Sequence, residues 1–252
     1  MSTPHPLDII RPDVFADVDT LVAGFTTRQG GVSAPPYDTL NLGLHTGDDP
    51  DRVRANRERM CAALDMPPDG MVTAEQVHDD HVEVVEAPVQ VPQCDGFVTT
   101  TPGLLLCIHT ADCAAVLLAD PEAGVLGACH AGWRGAVARI PTRTVRTMRR
   151  EGAHPRRMRA YVSPCISAER FEVGPEVAAQ FDDAFVRHPP GADRPHVDLK
   201  ADIEAQLRAA GLPAARIDVS PHCTMSDTER FFSYRAAGGR TGRMIGGIGW
   251  VE

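Results

Sequence analysis

One stretch of the 252-residue chain, Cys107–Gly135, gathers the residue types that do chemistry: CIHTADCAAVLLADPEAGVLGACHAGWRG. Two apolar runs, Ala114–Ala119 and Val125–Cys129, flank the turn-forming string Asp-Pro-Glu-Ala-Gly, a pattern that predicts an antiparallel hairpin. Folding about Glu122 sets Cys113 opposite Ala131 and next to His130, so a thiol and an imidazole far apart in the chain share one end of the hairpin. Such a pair can act as nucleophile and base. Beyond His130, Ala-Gly-Trp-Arg-Gly places two glycines and Arg134 where the strand gives way to a helical pattern. Glycine N–H groups and a helix start favour negative charge, so Arg134 and this helix start are candidates to hold an anion such as phosphate. The plainer alternative is a turn with Arg134 on the surface.

The elements that must position these groups can be read in order. Leu21–Thr27 reads as a strand that delivers Arg28 into Gln-Gly-Gly-Val-Ser, either lining the same cleft or capping an exposed turn. Ala34–Pro50 is a long loop, and Asp48-Asp49-Pro50 opens a helix with Val53, Met60 and Leu64 on one side. In Thr73–Val85 the valines favour strand geometry, so His78 and His81 face opposite sides and at most one is a metal ligand. Asp95–Thr101 is a short strand, and His109 shares a face with Cys107. Arginines 139, 143, 146 and 150 form a solvated stripe on a helix within Ala136–Glu151, and Pro141 demands a kink or a late start. A strand at Met158–Val162, a loop with a more exposed Cys165, and a helix over Phe171–Phe185 follow. Asp198 then caps a helix carrying Leu199, Ile203 and Leu207, and Arg216–Ser220 is a strand. In the tail, Phe231, Phe232 and Tyr234 either floor a pocket beside Arg235 and Arg243 or pack as core with an edge strand.

Composition bounds the function. A net charge of −9 argues against nucleic acid or an anionic membrane as partner. The beginning MSTPHPLDII has neither a basic n-region nor an apolar h-region, and no later apolar run approaches the ~18 residues of a membrane span, so the chain reads as cytoplasmic. Seven cysteines without a Cys-x-x-Cys pair fit neither a disulfide framework nor a zinc ribbon, and Cys61, Cys107 and Cys129 read as small core residues. With no linker or repeat, one domain over residues 1–252 is the expectation, with a monomer favoured.

The strings Thr26-Thr27-Arg28 with Gly30-Gly31-Val32-Ser33, Asn41-Leu42-Gly43, Gln76-Val77-His78, Ala111-Asp112-Cys113, His130-Ala131-Gly132-Trp133-Arg134-Gly135, and Phe232-Ser233-Tyr234-Arg235 with Thr241-Gly242-Arg243-Met244 run in order along nearly the whole chain. By these the chain resembles the YfiH and laccase-domain proteins, also called polyphenol oxidases and peptidoglycan editing factors. The resemblance implies an α+β fold, a single-domain layered α/β sandwich with mixed β-sheets. It implies one zinc held by His78, Cys113 and His130, with copper as the alternative metal. It implies a catalytic set of Cys113, His130 and Asp112, the last for orientation or acid–base work. Substrate or phosphate contacts fall on Arg28, Asn41, Gln76, Arg134, Ser233 and Arg235. The implied activity is a purine nucleoside phosphorylase of broad range, acting on adenosine, inosine, guanosine and methylthioadenosine, with adenosine deaminase activity. The sequence departs from the family pattern at Ser163-Pro164-Cys165-Ile166-Ser167 and at Ala236, where substrate preference could change.

Two competing readings belong to other classes. A copper-dependent polyphenol oxidase calls for clustered histidines, often as His-x-His, and none of the ten histidines is so arranged. Hydrolytic editing of a peptidoglycan precursor would use the same zinc site on an amide. A metal-free Cys113–His130 pair leaves His78 without a role.

Overall fold

The hairpin runs carry almost no alternation, and every residue of the two strands is buried because both faces are covered. The computed structural model describes residues 7–251. Its strands are β1 (Ile9–Ile10), β2 (Leu21–Thr26), β3 (Met71–Ala74), β4 (Val82–Val84), β5 (Gln90–Val91), β6 (Gly96–Thr99), β7 (Leu105–Thr110), β8 (Ala114–Asp120), β9 (Val125–Ala131), β10 (Arg159–Val162), β11 (Val186–Arg187), β12 (His196–Val197), β13 (Ile217–Val219) and β14 (Met244–Trp250). The helices are α1 (Pro50–Ala63), α2 (Trp133–Val137), α3 (Ile140–Arg150), α4 (Pro175–Ala178) and α5 (Leu199–Ala209). One six-stranded sheet has the order β1-β2-β14-β7-β3-β5 and the other β13-β10-β8-β9-β6-β4. Both are mixed: β3 lies parallel to β7 and β10 to β13, while the central pairs are antiparallel.

Alternation along the strands sorts the core into layers. Leu106 and Ile108 of β7 meet Ala115 and Leu117 of β8 between the sheets. Leu105 and Cys107 turn outward to Met60, Cys61 and Leu64 at α1, and Val116 and Leu118 turn outward to Ile140, Met148 and Ile203 of α3 and α5. The expected layered sandwich is therefore present, built as helix, sheet, sheet, helices. Asp49 caps α1 by accepting from Asp51 N at 2.9 Å, and Asp198 caps α5 by accepting from Ala201 N at 3.2 Å. Pro141 sits in the first turn of α3, after a left-handed Arg139, so the late start is observed. No helix among the described residues is long and apolar enough to cross a membrane.

Four expectations need correction. The hairpin pairs Ala114 with Ala131 and Asp120 with Val125, so Cys113 lies level with Gly132, one residue from the expected register. Asp120 accepts from Glu122 N and Ala123 N, and Gly124 turns left-handed, which makes Pro121–Gly124 a four-residue connection. Phe171–Phe185 is not a helix: Val173 N and Phe171 O pair with the 195–197 segment, leaving only α4 and one 3-10 turn. Cys165 is buried, because its backbone pairs with that of Cys223 and its free thiol packs in the helix-side core. The glycine-rich β14 is no edge strand but lies between β2 and β7. A Cβ on Gly246 would come within 2.7 Å of Ala115 Cβ, so glycine is what lets the sheets approach there.

Candidate metal centre and active-site cleft

Three segments meet at one end of the sandwich. β8 starts just after Cys113, β9 ends just after His130, and the loop beyond β3 brings His78 across to them. One ligand atom from each lies within 4.8 Å of the others, and the two imidazole rings stand edge to face. Among the described residues this is the one group of three or more His, Cys, Asp or Glu side chains able to share an ion. A thiolate and two imidazoles suit zinc or a similar borderline metal, and three protein ligands leave a position for water or substrate. The backbone is shaped around the cluster: a Cβ on Gly132 would lie 2.8 Å from Cys113 Sγ and 3.3 Å from His78 Cδ2.

A buried carboxylate that the sequence did not single out organises two of the ligands. Asp95 Oδ1 lies 2.8 Å from His130 Nδ1, while its Oδ2 accepts from Val77 N at 2.9 Å and Asp79 N at 3.0 Å. It thereby fixes the His130 ring with Nε2 free and holds the N–H groups of the residues on either side of His78. His78 has φ +65°, a conformation that costs a non-glycine residue ~1–3 kcal/mol and persists only where neighbours enforce it. Asp112, with φ +90°, is enforced in the same way: its carboxylate accepts from Thr224 Oγ1 and Arg235 N, both at 2.7 Å. Both oxygens are thus engaged in holding the approach to Cys113 and the tail segment together.

The electrostatics favour a thiolate. Burial pushes the Cys113 thiol up, but His130 and His78 beside it outweigh this and bring its pKa to about 6. Burial disfavours the charged form of His130, yet the Cys113 charge and the Asp95 hydrogen bond lift it to about 9. Burial also raises Asp95, but its hydrogen bond to His130 wins and keeps it below the ordinary carboxylate value.

The cluster opens into a cleft of about 570 Å³. Of the predicted contacts, Gln76 and Arg235 line it, as does Asp112 of the predicted catalytic set. Gln76 uses its amide to clasp the His109 peptide, with both hydrogen bonds at 2.8 Å. Arg28 does not reach the cleft: it pairs with Asp38 at 3.2 Å and donates to Thr228 O, in a separate surface hollow. Arg134 is exposed and lies over the Trp133 ring, and α2 is only five residues long, too short to form the expected anion-binding helix start. Asn41 and Ser233 are buried hydrogen-bonding residues outside the lining, Asn41 accepting from Arg243 N and Ser233 from Ala236 N. Phe231 and Phe232 are core, whereas Tyr234 lines the cleft. Arg57, His109 and Arg243, none of which was assigned a contact, line it as well.

Residues 22–251 match the family described as multi-copper polyphenol oxidoreductase laccase. The chain belongs to this laccase family. A purine nucleoside phosphorylase of Deinococcus radiodurans is 49% identical over 232 residues, covering 89% of this chain and 87% of the relative. An adenosine deaminase, RL5, from an unknown prokaryotic organism is 36% identical over 245 residues, covering 90% of this chain and 93% of the relative. The crystal structure of YfiH from Bacillus licheniformis aligns with a TM-score of 0.89 at 31% identity, over 98% of this chain and 99% of that one. The family description speaks of several coppers, but in this laccase-family chain the described residues converge on a single three-ligand group.

Proposed function

We propose that this laccase-family protein is a purine nucleoside phosphorylase with adenosine deaminase activity, its site built on one zinc ion at His78, Cys113 and His130. The observation that carries the reading is the convergence of these three side chains at the mouth of a cleft large enough for a nucleoside. The names of the relatives support the same chemistry. A zinc ion held there would supply a Lewis acid with a position open to water or to a substrate atom.

The residues of the chain do the remaining work. Asp95 holds the His130 imidazole in ligating orientation and the backbone around His78, and Tyr234 and Trp133 offer ring faces on which a purine can lie. Asp112 anchors the Tyr234–Arg235 segment against the approach to Cys113. In phosphorolysis a phosphate oxygen forms the bond to C1′ as the C1′–N9 bond breaks. The electron pair leaves with the purine, which takes up one proton, and ribose 1-phosphate remains. In deamination the oxygen of one water stays on C6 and the amino nitrogen departs as ammonia. The broad range, including methylthioadenosine, fits a cleft whose walls mix apolar and polar groups.

Metal analysis followed by incubation with adenosine and inosine, with and without phosphate, tests the proposal. Bound zinc, free base with ribose 1-phosphate, and inosine formed from adenosine are the expected results. Phosphate-independent oxidation of phenols by a copper-loaded protein, without nucleoside cleavage, overturns it.

A further inference from the structure

The cleft carries arginines that have no ion-pair partner among the described residues. Arg57, Arg235 and Arg243 all line it, and among the described residues none has a carboxylate within ion-pair distance. Outside the cleft some arginines, such as Arg59 and Arg216, rest on carbonyls alone, while others are ion-paired, as in Arg28 with Asp38, Arg157 with Asp120 and Arg230 with Asp8. The cleft arginines are held by neutral acceptors. Arg57 Nε donates to Leu42 O at 2.9 Å, Arg235 to Glu172 O at 3.0 Å, and Arg243 to Thr241 O and Gly242 O at 2.9 and 3.0 Å. A carbonyl fixes a guanidinium in place while leaving its full charge for another partner.

Two of the three are tied to one another. Leu42 accepts from Arg57 and donates its own N–H to Arg243 O, so both arginines grip the Asn41–Gly43 segment from opposite sides. His109 stands between them, its Nε2 3.1 Å from Arg57, and both guanidiniums act on it; burial and then Arg57 drive its pKa down to about 3, so it adds no charge and accepts from Arg57. Burial lowers the pKa of both guanidiniums, as expected for cations drawn from water without a carboxylate paired to them. Arg243 lines the same cleft as His78, Cys113 and His130, and the charges of Cys113 and Asp112 partly offset the effect of burial on it.

We infer that Arg57 and Arg243, with Arg235 also lining the cleft, form a binding site for a phosphoryl oxyanion in the cleft of the His78–Cys113–His130 cluster. This rests on the phosphorolysis reading for its role, and it replaces the anion contacts first expected at Arg28 and Arg134. The site takes a doubly charged tetrahedral anion, supplied either as free phosphate or as the 5′-phosphoryl group of a nucleotide.

The test uses the zinc-loaded protein and inorganic phosphate, with binding read by calorimetry and by the phosphate-induced rise in Tm. Arg57→Gln and Arg243→Gln are each expected to weaken phosphate binding about 10- to 100-fold, the loss of a charge-assisted hydrogen bond, and to raise KM for phosphate more than KM for inosine. Arg243→Lys should recover part of the loss, and Arg134→Gln should bind phosphate like wild type. The Arg243 guanidinium hydrogen-bonds only to carbonyls of its own turn, and its bonds to Asn41 and Leu42 are made by the backbone, so if Arg57→Gln fails to fold, Arg243→Gln decides. Folded variants that bind phosphate as tightly as wild type overturn the inference, even if ribose 1-phosphate still forms. Phosphate bound through these arginines without any ribose 1-phosphate sinks the phosphorylase reading and leaves the anion site standing. Wild-type protein that binds no phosphate and forms no ribose 1-phosphate sinks both. Adenosine 5′-monophosphate that displaces phosphate, and is weakened by the same substitutions, identifies a nucleotide as the source; phosphate that still binds beside inosine identifies the free ion.

Discussion

Asp95 and His130 are joined twice: the carboxylate lies 2.8 Å from the imidazole Nδ1, and His130 N donates to Asp95 O at 2.7 Å. Because the second carboxylate oxygen accepts from the N–H groups of Val77 and Asp79, the residues on either side of His78, one residue sets the spacing of two metal ligands from different parts of the chain. Asp95→Asn keeps the size but has one acceptor oxygen in place of two, so either His130 Nδ1–H or the N–H groups of Val77 and Asp79 are left facing an NH2. Zinc affinity should fall about 10- to 100-fold, measured by competition with a chromophoric chelator, with the circular dichroism of the metal-free protein unchanged. Wild-type affinity in this variant would show that the ligands hold their places without Asp95.

The glycine at 132 offers a change that leaves every ligand in place. An added methyl group at that position meets Cys113 Sγ at 2.8 Å and His78 Cδ2 at 3.3 Å, so Gly132→Ala must push the thiol and one imidazole apart. Overpacking of this kind costs ~1–3 kcal/mol, equivalent to a loss of about 5- to 150-fold in metal affinity if it falls wholly on the loaded state. Cobalt titration followed through thiolate-to-metal absorption measures it, and normal affinity with a normal spectrum would mean that the strand end relaxes freely.

What the sequence revealed of this site follows from how local each signal is. Cys113 and His130 were legible because one hairpin joins them, although turn residues alone did not place the centre of the connection and the register came out one residue away. Asp95 gave no signal, since its partners His130, Val77 and Asp79 are assembled only by pairing of β6 with β9 and by the loop beyond β3. Arg28 and Arg134 drew attention through neighbouring glycines, a feature of turns as much as of anion sites. Arg57 was hidden on a helix that reads as scaffold, and its role depends on His109 arriving from β7. The layers were legible from unbroken apolar strands; the glycines of β14 were not, because their reason is the close approach of a second sheet.

The cysteines should differ sharply in reactivity once the metal is removed. Cys113, with a pKa of about 6 against an ordinary 9.0, should react with iodoacetamide along a pH profile with its midpoint near 6. Cys165, pushed by burial to about 12, and the fully buried Cys107 should stay unmodified in the native state. Peptide mapping separates Cys113 from the half-buried Cys223. Zinc should protect Cys113, and His130→Asn should move its midpoint upward by removing the main favourable charge. A midpoint near 9 in the wild-type protein would show that the imidazoles do not stabilise the thiolate.

Asp202 on α5 should make stability depend on pH in a sense opposite to most carboxylates. Burial raises its pKa from 3.8 to about 6, against the weaker opposing influence of its hydrogen bond from Gln206 and of Arg139. The folded carboxyl therefore keeps its proton at a pH where the unfolded one has released it. The resulting stabilisation is whole below about pH 4, and it is lost as pH rises through about 6, on the order of 1–3 kcal/mol. Asp202→Asn cannot ionise and lacks this loss, so its stability relative to wild type should increase between pH 4 and pH 7. Urea unfolding of both proteins across that interval measures the difference, and a constant gap between the two curves would mean that the side chain titrates as it does in the unfolded chain.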